Sequence, residues 1–285
     1  MDSVTSIERF EVKASNGERF AAVQWGASAP PILLHHATGF CAAAYSEIAE
    51  QLSEHHTVYS YDARGHGDTS ASTDELSWRR FAKDLGFLAR AILERHGAKA
   101  FACGIGHSLG GIATLTAAVD DHHLFERLLL IEPVLIPQDG PGTRRAGRTP
   151  FSMAARLRRS MFASRIEARE LLASQEPYSR FTPRMFESYL EHCLRQVEGG
   201  YVELKCSPGS EATIYELAHT DVFEQLQDFE VPTQIVAAHD SSFATAYARL
   251  GGRLELVTVP EGHVAPMENP KRIATIARRW MTSGN

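Results

Sequence analysis

A serine flanked by glycines is the part of this sequence with the clearest chemical meaning. The segment Gly106-His107-Ser108-Leu109-Gly110 fits the pattern Gly-x-Ser-x-Gly, in which a sharp turn from a strand into a helix exposes the serine hydroxyl. Bulk two residues from the serine on either side would crowd such a turn, and glycine removes it. The pattern predicts that Ser108 is a nucleophile. It also predicts that the Leu109 N–H, at a helix N-terminus, donates to negative charge developing in a reaction.

The same residues have other interpretations. A glycine-rich turn between a strand and a helix can hold an incidental serine. A dinucleotide-binding fingerprint begins with Gly104-x-Gly106, but its third glycine position holds Leu109. No Gly-Lys-Ser/Thr phosphate loop occurs in the chain, so the two common phosphate-binding motifs are excluded. A nucleophile and a plain turn remain.

A serine nucleophile needs a base within hydrogen-bond distance and an acid that orients the base. Asp240 and His263 each follow an apolar run that predicts a strand, at 233–238 and 254–259. Their order after Ser108 is the one expected for this turn on a parallel sheet. The sequence therefore predicts Ser108 as nucleophile, His263 as base and Asp240 as the orienting acid, although each of the latter two alone fits an ordinary loop.

Two further loops follow predicted strands. The small-residue turn 35–40 comes after the apolar strand 32–34 and exposes backbone N–H groups, so Thr38 is a candidate for a second donor to an oxyanion. A plain connecting loop is the alternative. The loop 62–68 is polar and rich in glycine, and we interpret it as a structural turn rather than a catalytic one.

Short apolar runs alternate with helical periodicity over most of the chain. Strands are predicted near 10–13, 20–23, 32–34, 58–61, 100–103, 128–131, 233–238 and 254–259. Wholly apolar strands separated by helices are typical of a doubly wound parallel sheet with helices on both faces. Ligands bind such sheets beyond the carboxyl ends of the strands, where the candidate residues fall.

The stretch 137–219 breaks this rhythm. It has no convincing strand pattern, and Thr149-Pro150 and Thr182-Pro183 each suggest a helix N-cap followed by proline. We expect a helical cap at 137–219, inserted into a core domain formed by 1–136 and 220–285. Eight arginines between Arg144 and Arg169 fit either a solvated helix face or an anionic substrate, and the former is the commoner case.

Composition limits the function classes. The chain has 285 residues, 44% of them apolar, and a net charge of −6, which argues against non-specific nucleic-acid binding. No signal pattern or bilayer-length apolar run is present, so we expect a cytoplasmic protein with no membrane partner. Four widely spaced cysteines without a C-x-x-C motif suggest free thiols, and the paired histidines are not metal motifs.

These residues together resemble the α/β-hydrolase superfamily, over nearly the whole chain. The matching segments are 36–40, 62–67, 106–111, Asp240 and Gly262-His263. The family usually has His-Gly where His36-Ala37 stands here. The resemblance implies a mostly parallel eight-stranded sheet with an inserted cap. It also implies that His36 supports its loop, and that Glu132 is the alternative acid, since some relatives place the acid one strand earlier.

The resemblance implies acyl transfer on a small molecule without a metal or organic cofactor. We expect a carboxylic ester or lactone hydrolase, monomeric or homodimeric. A carbon–carbon bond hydrolase, a cofactor-free perhydrolase and a small-molecule receptor with slow turnover are the alternatives. A cap encloses a pocket, whose candidate lining residues, each equally compatible with core packing, are Phe40, Cys41, Phe151, Met161, Phe162, Tyr178 and Phe181.

Overall fold

A twisted sheet of eight strands organises the protein. The computed structural model describes residues 7–139, 147–217, 220, 222–226, 229–250 and 254–283. The strands are β1 (Ile7–Lys13), β2 (Arg19–Trp25), β3 (Pro31–His35), β4 (Thr57–Tyr61), β5 (Cys103–His107), β6 (Leu128–Ile131), β10 (Thr233–Ala238) and β11 (Glu255–Val259). Their order across the sheet is β1-β2-β4-β3-β5-β6-β10-β11. Only β2 pairs antiparallel with its neighbours, so the mostly parallel sheet predicted from the sequence is confirmed.

The central strands are apolar because helices cover both faces of the sheet. Strands β3, β4, β5, β6 and β10 are buried at every residue, as expected for a doubly wound fold. The core helices are α1 (Ser46–Leu52), α2 (Trp78–His96), α3 (Leu109–Asp120), α8 (Val222–Gln225), α9 (Ala244–Arg249), α10 (Ala265–Glu268) and α11 (Pro270–Thr282). Helix α1 packs with α11 and α2 packs with α3, and the buried side chains form two separate apolar clusters.

Helix boundaries follow their sequence signals. The side chains of Thr149, Thr182 and Asn269 each accept a hydrogen bond from the backbone N–H three residues later, which satisfies a donor at the helix start. Gly97 follows α2 with a φ of +81°, the left-handed conformation that glycine adopts at a helix end without strain.

The segment between β6 and β10 contains strands as well as helices. Its helices are α4 (Pro150–Leu157), α5 (Arg165–Leu172), α6 (Pro183–His192) and α7 (Pro208–Tyr215). Strands β7 (Met161–Phe162), β8 (Leu194–Gln196) and β9 (Val202–Leu204) form a small antiparallel sheet in the order β7-β9-β8. The sequence shows no convincing strand pattern in 137–219, and these three short strands correct that expectation. Strands of two or three residues are too short for an alternating pattern to be recognised.

This segment, called the cap below, packs on the loop that follows β3. Helix α6 lies against the 3₁₀ turn Ala42–Tyr45. The Ser188 hydroxyl donates to the Ala43 carbonyl over 3.1 Å, and the Thr182 N–H donates to the Met267 carbonyl over 2.9 Å. None of the helices within the described ranges has both the length and the apolar composition that crossing a bilayer requires.

Candidate active site

Ser108 lies on a strained turn between β5 and α3. Its φ of +54° and ψ of −112° are values that residues with a side chain rarely adopt, and such strain concentrates at functional sites. A Cβ on Gly106 would lie 2.4 Å from the Gly110 carbonyl oxygen, and a Cβ on Gly110 would lie 2.3 Å from the His35 carbonyl oxygen. Backbone fills both positions, so glycine is the only residue that fits either.

Gly106→Ala is expected to destabilise the protein by about 3 kcal/mol or more, because the new methyl group overlaps backbone atoms that cannot move away independently. Gly86→Ala is the matched control. Gly86 lies within α2 with no atom within 4 Å of its added Cβ, so alanine there should stabilise by about 0.5–1 kcal/mol. Urea unfolding of the two variants measures the contrast. Equal stabilities would show that the turn tolerates bulk.

His263 is hydrogen-bonded to the serine. Its Nε2 lies 3.0 Å from Ser108 Oγ, and it stands in the loop between β11 and α10. The His263 side chain is 45% exposed, whereas Ser108 is buried. His263 therefore stands between the buried Ser108 hydroxyl and solvent, within reach of the hydroxyl proton.

Glu132 is the carboxylate that contacts the base. Its Oε2 lies 3.0 Å from His263 Nδ1, and its Oε1 accepts a hydrogen bond of 2.9 Å from the Ala238 N–H. The Glu132 side chain is 1% exposed. The residue directly follows β6 with a φ of +47°, so the chain turns sharply there. With Nδ1 donating to Glu132, Nε2 is left to accept the Ser108 proton.

The structure corrects the predicted orienting acid. No hydrogen bond or ion pair joins Asp240 to His263 among the described residues. Its side chain is 63% exposed, and its carboxylate lies 3.9 Å from the ring of the adjacent His239. Strand order explains the difference, since β6 is next to β5 and β10 is one strand farther away. Strand β10 contributes the Ala238 N–H to the acid instead of the acid itself.

Two backbone N–H groups are available near Ser108. Neither the Thr38 nor the Leu109 N–H donates a hydrogen bond to any residue in the described ranges. Gly110 brings the start of α3 against the carbonyls of His35 and His36, so the loop 36–41, called the oxyanion loop below, abuts the Ser108 turn. Donors held in this way are suited to bind an oxyanion.

His36 holds the oxyanion loop in place. Its Nδ1–H donates to the Ala37 carbonyl over 2.8 Å, and its Nε2 accepts from the Ala63 N–H over 2.9 Å.

The loop that begins at Asp62 also has a structural role, because its side chain holds nearby backbone in place. The Asp62 carboxylate accepts hydrogen bonds from the Ala42 and Asp68 N–H groups, and burial raises its pKa to about 6.

Acid is expected to destabilise the protein through its buried histidines. Burial lowers the pKa of His35 and His107 to about 3 and of His66 to about 4, and it lowers the pKa of His36 well below its usual 6.5. The unfolded chain therefore binds more protons than the folded chain between pH 6.5 and 4, and the free energy of unfolding falls as the pH falls through that window. Burial also raises the pKa of Asp62 to about 6 and raises the pKa of Asp84, which opposes this effect at acid pH, but these are two groups against four histidines.

Thermal unfolding at constant ionic strength, measured at pH 7.5, 6 and 5, tests this expectation. The midpoint should fall at each step towards acid. A midpoint that stays level or rises would contradict a neutral, buried state of these histidines.

The predicted pocket residues separate into two groups. Phe40, Cys41, Phe162, Tyr178 and Phe181 are buried, whereas Phe151 and Met161 are exposed by 67% and 48%. The prediction that these last two line an enclosed pocket was wrong. Met161 precedes Phe162 in β7, and successive strand residues point to opposite faces, so one side chain is buried and the other faces out.

An aromatic cluster and a partly buried ion pair lie against the oxyanion loop. The Phe40 ring stacks on Phe181 at 5.9 Å and meets Tyr189 edge to face at 5.5 Å. Arg158, one of the cap arginines, pairs with Glu211. A Cβ on Gly39 would lie 3.8 Å from the Arg158 side chain and 3.4 Å from the Glu211 side chain.

The other arginines of the cap lie elsewhere. Arg156, Arg159 and Arg169 pair with surface glutamates, and Arg144 and Arg145 lie outside the described residues.

A family model described as the alpha/beta hydrolase family matches residues 32–276. The chain belongs to the α/β-hydrolase family. The matched range contains every residue of the candidate site, from His36 to His263. The resemblance inferred from sequence motifs is thereby confirmed, as are the fold and the assignment to hydrolytic enzymes.

Relatives of this α/β-hydrolase are distant in sequence. An abhydrolase domain-containing protein of Alternaria alternata, ACTT2-1, is 24% identical over 62% of this chain and 82% of its own. Protein phosphatase methylesterase 1 of Debaryomyces hansenii is 27% identical over 38% of this chain and 30% of its own. The solved structure of E-2-(acetamidomethylene)succinate hydrolase superposes with a TM-score of 0.81 at 20% identity, over 98% of this chain and all of that one.

Proposed function

We propose that this α/β-hydrolase cleaves a carboxylic ester or lactone bond in a small molecule through an acyl-enzyme on Ser108. The observation that carries the proposal is the continuous hydrogen-bonded chain from the Ser108 hydroxyl through both nitrogens of His263 to the buried carboxylate of Glu132. Such a chain activates a hydroxyl that is otherwise a weak nucleophile.

The geometry assigns each group a step. His263 Nε2 takes the Ser108 proton as Oγ bonds to the substrate carbonyl carbon. The carbonyl oxygen gains the negative charge, which the Thr38 and Leu109 N–H groups receive. Glu132 stabilises the imidazolium, which then protonates the leaving oxygen. Water, deprotonated by His263, attacks the acyl-enzyme and releases the acid and free Ser108.

The surroundings of the site favour a small substrate with an apolar acyl group. The cap, proposed as an insertion over 137–219, places Phe181 and Tyr189 against the ring of Phe40 in the oxyanion loop. The methylesterase of Debaryomyces hansenii is by its name an ester hydrolase, which agrees with ester cleavage here. We further propose that the protein is cytoplasmic and acts as a monomer or homodimer. We also propose that it needs no metal or organic cofactor.

Fluorophosphonate labelling tests the proposed nucleophile. The probe phosphonylates activated serines with loss of fluoride, so we expect one equivalent to bind, with the added mass on the peptide that contains Ser108. Hydrolysis of nitrophenyl acetate and butyrate should show a burst of nitrophenol equal to the enzyme concentration. Failure to label, together with no ester turnover, would contradict the proposal. Labelling at another residue would contradict the role of Ser108.

A further inference from the structure

We propose that Tyr45 and His107 are positioning residues that tie the oxyanion loop to the catalytic base. The inference rests on the proposed function and adds residues to it. Three hydrogen bonds carry it. The Ala37 N–H lies 3.1 Å from the Tyr45 hydroxyl, that hydroxyl lies 2.6 Å from His107 Nδ1, and His107 Nε2 lies 2.8 Å from the His263 carbonyl oxygen.

Chemistry sets the direction of every bond in this series. The Ala37 N–H can only donate and the His263 carbonyl can only accept. His107 must therefore carry its proton on Nε2 and accept at Nδ1, and the Tyr45 hydroxyl must donate to it. Burial lowers the pKa of His107 to about 3, so the ring is neutral at physiological pH and this single tautomer persists.

Each end of the series lies at a catalytic group. Ala37 precedes Thr38, whose N–H is an oxyanion donor in the proposed mechanism. His107 precedes Ser108, and the carbonyl that accepts its hydrogen bond belongs to His263, the proposed base. Tyr45 and His107 are each 1% exposed, so water cannot replace the bonds. The series therefore ties together the loop after β3, the last residue of β5 and the loop after β11. A displacement of about 1 Å between such groups can cost on the order of 100-fold in rate.

The hydrogen bonds of Tyr45, and not the packing of its ring, distinguish a positioning role from an ordinary core contact. The Tyr45 ring meets Phe40 and His107 edge to face at 6.0 Å, and phenylalanine would preserve both contacts. Without the hydroxyl, the Ala37 N–H and His107 Nδ1 lose their partners, and the His107 ring is free to change tautomer.

Tyr45→Phe tests the proposal, with Tyr59→Phe as the matched control. Tyr59 is a buried strand tyrosine whose hydroxyl bonds His96 Nδ1 over 3.1 Å, at the end of α2. We expect Tyr45→Phe to lower kcat for nitrophenyl butyrate by about 10–100-fold with KM changed less than twofold, and to slow fluorophosphonate labelling equally. Tyr59→Phe should lower the free energy of unfolding by about as much as Tyr45→Phe does, and it should leave kcat unchanged.

A second readout is independent of turnover. The proton shared by His263 and Glu132 should give a downfield NMR signal that broadens or moves in Tyr45→Phe and stays in place in Tyr59→Phe. A kcat within twofold of wild type, or an unchanged signal, would overturn the positioning role. Absence of labelling in wild type would instead refute the proposed function, so the two failures are distinguishable.

Two variants of His107 keep the test decisive if Tyr45→Phe does not fold. His107→Gln retains an N–H for the His263 carbonyl, whereas His107→Leu retains neither a donor nor an acceptor. The glutamine variant should keep at least tenfold more kcat than the leucine variant. Equal activities would overturn the proposal, because they would show that the hydrogen bond to the base is without effect.

Discussion

Ser108→Ala is expected to lower kcat for nitrophenyl butyrate by about 10⁵–10⁶-fold. The reason is chemical, since alanine provides no oxygen to form the acyl-enzyme. The oxyanion donors and the cap remain, so a residual acceleration over water of about 10³-fold is compatible with the proposal. Steady-state kinetics with the uncatalysed rate subtracted measures both quantities.

Ser60→Ala is the control for this experiment. Ser60 is buried in β4, and its hydroxyl has no hydrogen-bond partner among the described residues, so its removal should leave kcat within twofold. Unfolding midpoints near that of wild type would show that both variants are folded. Ser108→Ala with more than a tenth of the wild-type activity would exclude Ser108 as the nucleophile.

Glu132→Gln is expected to lower kcat by about 10³–10⁴-fold. In the proposed mechanism, the carboxylate of Glu132 selects the tautomer in which His263 carries its proton on Nδ1 and stabilises the imidazolium that forms during the reaction. A neutral amide stabilises no cation, and its NH₂ group favours the wrong tautomer. The overall volume is almost unchanged, and the amide oxygen can still accept from the Ala238 N–H, so the fold should persist.

Asp240→Asn is the matched control, because Asp240 is the carboxylate that the sequence predicted to orient His263. Its side chain is 63% exposed and pairs with His239, so the substitution should leave kcat within twofold. Comparing kcat of the two variants on one ester shows which carboxylate orients His263. A large loss in Asp240→Asn with little in Glu132→Gln would reverse the assignment made from the structure.

Residue type and spacing were enough to predict several parts of this protein. The Gly-x-Ser-x-Gly segment requires a tight turn, because glycine alone fits positions 106 and 110 against backbone. Apolar runs separated by helical periodicity indicated a buried parallel sheet, since burial on both faces removes the polar alternation. Helix starts at Thr149 and Thr182 follow from a local side-chain to backbone bond. These features depend on neighbours in sequence, so the sequence alone contains the information.

The tertiary structure decided which residues meet across the sheet. Glu132 and Asp240 both follow apolar strands, and nothing local distinguishes them. The order β5-β6-β10 and the left-handed turn at Glu132 place one carboxylate against His263 and leave the other in solvent. The strands of the cap, the exposed Phe151 and Met161, and the bonds joining Ala37, Tyr45, His107 and His263 likewise depend on packing between segments far apart in sequence. Contacts of this kind are set by strand order and backbone direction, which local residue patterns do not specify.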